Sequence, residues 1–281
     1  MTKKIVITGG LGYIGTELCK IYSGVSWNNK VTVVDNRFIS ERVNQLTNWN
    51  IDFVHGDILD KDLVNKFCKD ADIVHHLAGI TDVPRLKSES SEDRDGKIKL
   101  VAEEGTQNII NAINNKCKII FPSTHVVYEG IEKIKNDILE DEYTKPILSY
   151  ASSKAINEKQ LKSSGKNYII LRLGSVYGYS TDTARINIMP NLFSKIASQN
   201  GTIRLFAGGR QIKNLVPLVD VARCFKYMEE RENISSEIFN VTKDTVTVKG
   251  VAEICKKYNP KITLKETNDE IPNLGFSLSN N

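Results

Sequence analysis

The chain opens on Ile5-Val6-Ile7-Thr8-Gly9-Gly10-Leu11-Gly12-Tyr13-Ile14-Gly15, and no other segment restricts its fold as much. A short β-branched run reads as a buried strand. Gly9, Gly12 and Gly15 follow it at intervals of three, and a helical pattern comes next. A strand that turns straight into a helix must reverse sharply, and Gly9 tolerates the dihedrals this needs. Gly12 lets backbone approach a pyrophosphate, whose charge the helix N-terminus stabilises. Gly15 permits close packing of helix on strand. Strand before and helix after are the context in which such a glycine pattern has meaning; the structural alternative is a glycine-rich turn without a ligand.

The rest of the first 175 residues repeats this rhythm. Strands are expected at 5–8, 31–34, 53–55, 73–77, 117–121 and 168–173, separated by helix-length segments. In 98–113 the residues Ile98, Val101, Ala102, Ile109 and Ile113 fall near a 3.6-residue period. Alternating strands and helices mean parallel strands joined by right-handed crossovers, so the fold class expected is α/β, a Rossmann-type doubly wound parallel sheet. From about residue 176 the rhythm breaks. A helix over 189–198, a strand over 202–206, the turn Gly208-Gly209, a helix over 221–231 and a small strand–helix–strand ending are expected there. The reading is a nucleotide-binding domain over 1–175 and a smaller, irregular C-terminal lobe over 176–281, packed together because no low-complexity linker separates them. Residues 272–281 read as strand or loop with no closing helix, so this lobe is either small or cut short.

Asp35 stands twenty residues beyond Gly15, at the end of the second strand. A carboxylate there accepts hydrogen bonds from both ribose hydroxyls of NAD and repels a 2′-phosphate. Arg37, two residues on, could neutralise such a phosphate, but the reading favours NAD over NADP. Asp57, after the third strand, either contacts the adenine or caps a helix over 59–68.

Tyr150-Ala-Ser-Ser-Lys154 lies in a helical stretch, and residues four apart share a helix face. A phenol with an ordinary pKa of ~10 is protonated at neutral pH. An ammonium ~4 Å away at an effective dielectric of ~20 contributes about 4 kcal/mol, or roughly three pKa units. On that basis Lys154 is expected to lower the Tyr150 pKa, so that Tyr150 takes a hydroxyl proton while hydride moves to NAD. The alternative is a half-buried Tyr beside a solvated Lys.

These features occur in order with the runs Ile73–Gly79, Phe121–Tyr128 and Leu171–Gly178. Together they resemble the extended short-chain dehydrogenase/reductase family, the NAD-dependent nucleotide-sugar epimerases and dehydratases, over essentially the whole chain. The resemblance implies that Thr124 bonds the reacting hydroxyl beside Tyr150 and Lys154, with Ser123 next to it on the cofactor side. It implies that Gly9, Gly12, Tyr13 and Ile14 hold the cofactor's phosphates, Asp35 and Asn36 the adenosine ribose, and Asp57 with Ile58 the adenine. Leu77, Ala78 and Gly79 would line the cofactor through backbone, and Val176 would lie near the carboxamide. On the substrate side it implies Thr124, His125, Ser175, Arg185 and Lys213.

The departures from the family select among reactions. The 4,6-dehydratases carry an Asp-Glu pair directly after the Thr; here those positions are His125 and Val126. Decarboxylases and the epimerase-reductases of fucose-type sugars use a Glu or Cys nearby, and Val126 is neither. A 4-epimerase needs only Thr124, Tyr150, Lys154 and NAD. The expected function is therefore epimerisation of a nucleoside-diphosphate sugar by transient oxidation to a keto intermediate and return of the hydride. The alternatives are a reductase or dehydrogenase of the same family and a non-catalytic NAD-binding protein. His125 either acts as acid or base, bonds the sugar, or fills a polar gap. Ser175 stands where the family often has Asn, and Lys213 where a diphosphate-binding Arg is usual, a charge without the bidentate fork; Arg185 and Arg210 could compensate. A homodimer through 98–113 and 151–161 is expected from the resemblance.

Composition excludes other classes. Lys plus Arg number 38 and Asp plus Glu 34, a balance too even for a nucleic-acid partner in the absence of any basic run. No apolar run approaches the ~20 residues that span a bilayer, and the first strand leaves no room for a signal peptide. Five scattered cysteines, none in Cys-x-x-Cys spacing, read as reduced thiols of a cytoplasmic protein. Adjacent His75 and His76 face opposite sides of a strand, and no metal site is expected.

Overall fold

The computed structural model describes residues 2–23, 29–81, 91–131, 135–180, 185–267 and 275–279. Its first half alternates β1 (Lys4–Thr8), α1 (Tyr13–Ser23), β2 (Lys30–Asp35), α2 (Ser40–Asn48), β3 (Asp52–His55), α3 (Lys61–Cys68), β4 (Ile73–His76), α4 (Glu92–Ala112), β5 (Lys118–Thr124), α5 (Ser149–Ser163) and β6 (Asn167–Leu173). Then come β7 (Ser175–Tyr177), α6 (Met189–Ser198), β8 (Thr202–Phe206), β9 (Ile212–Pro217), α7 (Leu218–Glu230), β10 (Glu237–Val241), β11 (Asp244–Thr247), α8 (Val248–Tyr258) and β12 (Thr263–Thr267).

Seven strands form one parallel sheet in the order β10-β6-β5-β4-β1-β2-β3. Alternate residues of each strand feed two separate cores. Ile5, Ile7, Val33 and Leu171 face α1 and α7, whereas Val6, Val34, Val74 and Ile170 face the α3–α5 side. β1 has β2 on one side and β4 on the other. The order of winding reverses there, which opens a crevice outside the carboxyl ends of β1 and β4, where ligands of doubly wound sheets bind.

Three differences from the sequence-based expectation have physical causes. α4 starts at Glu92, capped by Ser91, whose hydroxyl accepts from the Arg94 N–H at 3.4 Å; its acidic first turn carries no apolar stripe for periodicity to register. β5 runs on through Pro122 and Ser123 to Thr124, paired with β6 as far as Leu173, three residues beyond the expected end at residue 121. β10 joins the first sheet beside β6, and Phe225 and Met228 of α7 are buried in that sheet's core. A boundary at residues 175/176 thus divides the sequence but not the sheet.

The remaining strands form a sheet β11-β9-β7 and a pair β12-β8. α6 and α8 close over Phe193, Ile203, Leu205, Val251 and Ile262. Among the described residues no helix is long and apolar enough to cross a membrane. His75 and His76 do point to opposite faces. His75 Nε2 lies 3.0 Å from Glu229 and 3.1 Å from the Tyr22 hydroxyl, which donates to Glu229. Lys226 adds a bond to Glu229 at 2.6 Å. These bonds hold the Glu229 carboxyl down to about 2 against the opposing effect of burial, and they tie α7 to β4 and α1.

Candidate active site

The glycine turn lies at the carboxyl end of β1. The Gly9 N–H donates to Val34 O at 2.8 Å and the Gly12 N–H to Gly9 O at 3.0 Å. Gly9 has φ +71°, and a Cβ there would stand 2.7 Å from the Ala78 nitrogen, so both its dihedrals and its neighbours exclude a side chain. Gly15 meets the turn itself, with Gly9 O 2.6 Å from where its Cβ would be. Tyr13 begins α1; its hydroxyl donates to Gly178 O and accepts from Asn191 at 3.3 Å, which binds the turn to the second half of the chain. Ile14 packs into the core behind it.

Asp35 ends β2 nearly buried. Its carboxylate accepts from the Leu11 N–H at 3.0 Å and from the Arg37 backbone N–H, Nε and Nη2 at 3.0, 3.1 and 3.2 Å. Arg37 therefore folds back over the glycine turn, with Nη2 3.7 Å from the direction of a Gly12 Cβ. Asn36 donates to Asp57 at 2.9 Å. Asp57 also accepts from the Leu59 N–H at 3.0 Å, but it does not cap the following helix: Asp60 does, accepting from the Leu63 N–H at 3.1 Å. Ile58 is buried, and its carbonyl is held by Asn108 at 3.0 Å.

Across the crevice, a small cleft is lined by Ala78, Gly79, Ile80, Ile98, Tyr150 and Lys154. The Leu77 N–H donates to Thr8 O at 3.0 Å and the Ala78 N–H to the Thr8 hydroxyl at 3.2 Å, which fixes the strap after β4. Thr124 lies close enough to Tyr150 to affect its phenol. Burial raises the Tyr150 phenol above its ordinary value, while the Arg185 charge and Thr124 pull it down. The expected lowering by Lys154 is not what the geometry delivers. The Lys154 ammonium stands 5.9 Å from the Tyr150 ring centroid, donates to Pro122 O at 2.7 Å, and lies 4.2 Å over the Phe121 ring. Burial pushes Lys154 itself down to about 7, and Glu158 opposes this.

The other expected site residues divide into those turned to the cleft region and those turned into the frame. The Ser123 hydroxyl donates to Glu158 at 2.5 Å. His125 Nδ1 bonds Leu173 O at 2.9 Å. A carbonyl only accepts, so Nδ1 carries the proton and Nε2 is an acceptor. Burial first, and Lys213 after it, lowers His125 to about 4. Ser175 and Val176 lie in β7, opposite Leu215 and Val216 of β9, and Lys213 lies two residues before Leu215 in β9. Arg185 donates to Thr81 O at 2.8 Å, bridging the strand-β4 side to the loop before α6.

Two groups escaped the sequence reading. Arg172, 2% exposed, presents Nε and Nη2 to Glu158 at 2.9 and 2.6 Å and Nη1 to Glu140 O at 2.9 Å and to the Tyr128 hydroxyl. Glu158 is four residues beyond Lys154, on the same face of α5, and that spacing was the available signal. The second group is His76, whose Nδ1 lies 2.9 Å from the Thr8 hydroxyl and Nε2 3.0 Å from that of Thr106.

Burial, with a smaller effect from Lys154, drives His76 down to about 3. Its folded pKa lies below the unfolded value of ~6.5, so the stability it confers is complete above pH ~6.5 and declines as pH falls towards 3. By pH 5 the expected loss is about 2 kcal/mol at 1.36 kcal/mol per pH unit. Urea midpoints at pH 7 and pH 5 measure it, and His76→Gln should flatten the difference; equal wild-type midpoints would contradict the assignment.

The site suits a dinucleotide on its own chemistry. The turn before α1 offers backbone N–H groups and a helix N-terminus, Arg37 supplies a cation above Gly12, and among the described residues no atom lies within 4 Å of where a Gly79 Cβ would be.

The model of the NAD dependent epimerase/dehydratase family matches residues 5–242. A UDP-N-acetyl-alpha-D-glucosaminuronate decarboxylase of Bacillus cytotoxicus is 28% identical over 90% of this chain and 79% of its own length. A putative UDP-glucose 4-epimerase of Methanocaldococcus jannaschii is also 28% identical, over 88% of this chain and 84% of its own. Among solved structures, a UDP-N-acetylglucosamine 4-epimerase from Methanobrevibacter ruminantium M1, in complex with UDP-N-acetylmuramic acid, superposes with a TM-score of 0.81 at 25% identity. It covers 99% of this chain and 89% of that one. The family match runs from the glycine turn through the Tyr150/Lys154 helix to β10, and the chain belongs to the NAD-dependent epimerase/dehydratase family.

Proposed function

We propose that the chain is an epimerase of a nucleoside-diphosphate sugar. The observation that carries this reading is the Tyr150 phenol at the cleft with Thr124 near enough to pull it down, and with His125 and Val126, not carboxylates, following Thr124. A decarboxylase and an epimerase resemble the chain equally, at 28% identity, so the side chains next to Thr124 distinguish the reactions better than overall similarity does.

NAD, when bound, supplies the acceptor and donor of hydride. The chain's own residues handle the proton. Thr124 holds the sugar hydroxyl against the Tyr150 oxygen, and Tyr150 takes and returns the hydroxyl proton. The Arg185 charge favours the phenolate against the effect of burial. Lys154, held on Pro122 O at the foot of the cleft, serves as the cation for the cofactor's ribose. Lys213, Arg185 and Ser175 form the diphosphate side of the site, with His125 Nε2 as an acceptor for the sugar.

The test is incubation of the protein and NAD with UDP-, GDP-, CDP- and dTDP-sugars, with products followed by NMR and the cofactor by absorbance. A new epimer without net NADH is the expected result. Stoichiometric NADH would overturn the reading in favour of a dehydrogenase.

A further inference from the structure

Residues 275–279 approach the site from the far end of the sequence, and none of the groups assigned above explains how they are held. Gly275 has φ +92°, and its Cβ would stand 2.4 Å from Ile212 O, a backbone approach that a side chain would prevent. The Asn214 side chain spans Ser277: its Nδ2 donates to Phe276 O at 2.9 Å, and its Oδ1 accepts from the Leu278 N–H at 2.9 Å. On the opposite edge, the Ile138 N–H donates to Ser277 O and the Ser279 N–H to Ile138 O, both at 2.9 Å. The Asp137 N–H donates to the Ser277 hydroxyl at 2.7 Å. A five-residue segment held by this many bonds has little freedom of its own.

Its one large side chain points at the catalytic turn. The Phe276 ring, 5% exposed, lies 5.9 Å from the His125 ring and 5.9 Å, edge-on, from the Tyr128 ring. Those residues begin and end the 3₁₀ turn His125–Tyr128, whose N-cap is Thr124, with its hydroxyl accepting from the Val126 N–H at 3.3 Å. Phe276 also shares a buried cluster with Ala155, the neighbour of Lys154 in α5. The ring therefore packs on the turn that follows Thr124 and belongs to a cluster that reaches the helix of Tyr150 and Lys154, while its clamp, Asn214, adjoins Lys213 in β9.

We propose that residues 275–279 are a strap that sets the position of the Thr124 turn relative to α5, with Phe276 as the positioning residue and Asn214 as its anchor. This rests on the reading that Thr124 and Tyr150 handle the sugar hydroxyl. Removing the ring leaves the cofactor turn and Lys213 in place but lets the Thr124 turn move away from Tyr150. Misplacement of reacting groups by about 1 Å costs on the order of 100-fold in rate, so the loss belongs in kcat.

The experiment compares wild type with Phe276→Ala, Phe276→Leu and Asn214→Ala by kcat and KM for the sugar nucleotide, by bound NAD, and by NMR titration of His125. For Phe276→Ala the expected kcat falls roughly 10- to 100-fold with KM within about threefold and NAD content unchanged. His125, opened to water, should rise from the value of about 4 to which burial lowers it towards ~6.5, still facing Lys213. Phe276→Leu should recover most of kcat by refilling the volume, and Asn214→Ala should lower kcat selectively. If Phe276→Ala does not fold, Phe276→Leu and Asn214→Ala decide the matter by the same readouts. Unchanged kcat and an unmoved His125 titration would overturn the proposal, as would equal losses of kcat, KM and bound NAD. If wild type converts no sugar nucleotide, it is the functional reading that fails. The His125 titration then still decides the strap: a shift supports it and no shift overturns it.

Discussion

Tyr150→Phe should lower kcat by a factor on the order of 10²–10⁴, the usual contribution of a positioned acid–base group, while the protein keeps its NAD. The substitution removes one oxygen and leaves the ring. The most that oxygen can lose is a polar interaction with Thr124, so the stability cost should stay near ~1 kcal/mol, the net worth of one hydrogen bond. The glycine turn, Asp35 and the strap after β4 are held by bonds that do not involve the phenol. Turnover by NMR and bound NAD by absorbance after denaturation separate the two effects. Undiminished turnover in the variant would remove Tyr150 from the mechanism. The geometry adds a companion expectation. The Arg185 charge pulls the Tyr150 phenol down against burial, so the acid limb of the rate profile should respond to the charge at residue 185.

Glu158→Ala should have the largest effect on folding. Arg172 and Glu158 are each almost fully buried and meet through two charge-assisted bonds of 2.9 and 2.6 Å. Such a pair contributes little net stability when intact, because desolvation of both ions offsets their attraction. Removing one partner leaves the guanidinium buried without its counter-ion and costs about 3–5 kcal/mol, a large part of the ~5–15 kcal/mol that holds an ordinary domain together. The Ser123 hydroxyl loses its acceptor in the same step. Urea unfolding at neutral pH measures the loss, and Glu158→Gln, which keeps an acceptor for Arg172 and Ser123, should lose less. A Glu158→Ala midpoint equal to wild type would show that water or a neighbouring group satisfies Arg172.

Local rules carried much of this molecule. Six of the seven strands of the main sheet were expected from the sequence, several of them as Val- and Ile-rich runs, because a strand buried on both faces has no polar positions to hide it. The seventh, β10, reads Glu-Ile-Phe-Asn-Val and offered neither alternation nor an apolar run. Its place is set by pairing with β6 and by Asn240, whose N–H reaches Glu140 at 2.7 Å. The end of β5 was missed for a related reason. Pro122 breaks ladders in isolation, yet here it pairs with Leu171, and its carbonyl is the acceptor that holds Lys154.

By itself the sequence determined the strand-to-helix glycine turn, the winding of a parallel sheet and the placing of Tyr150 and Lys154 on one helix face. Each follows from backbone geometry repeated over a few residues, and no distant group can alter it. Only the tertiary structure decided where those side chains point and how they are charged. Lys154 donates to Pro122 O, Ser123 turns to Glu158, Arg37 folds onto Asp35, and Phe276 reaches His125 and Tyr128. Protonation and orientation depend on desolvation and on partners up to 207 positions away, as for Tyr22 and Glu229, and a pattern of neighbouring residue types contains no record of those distances.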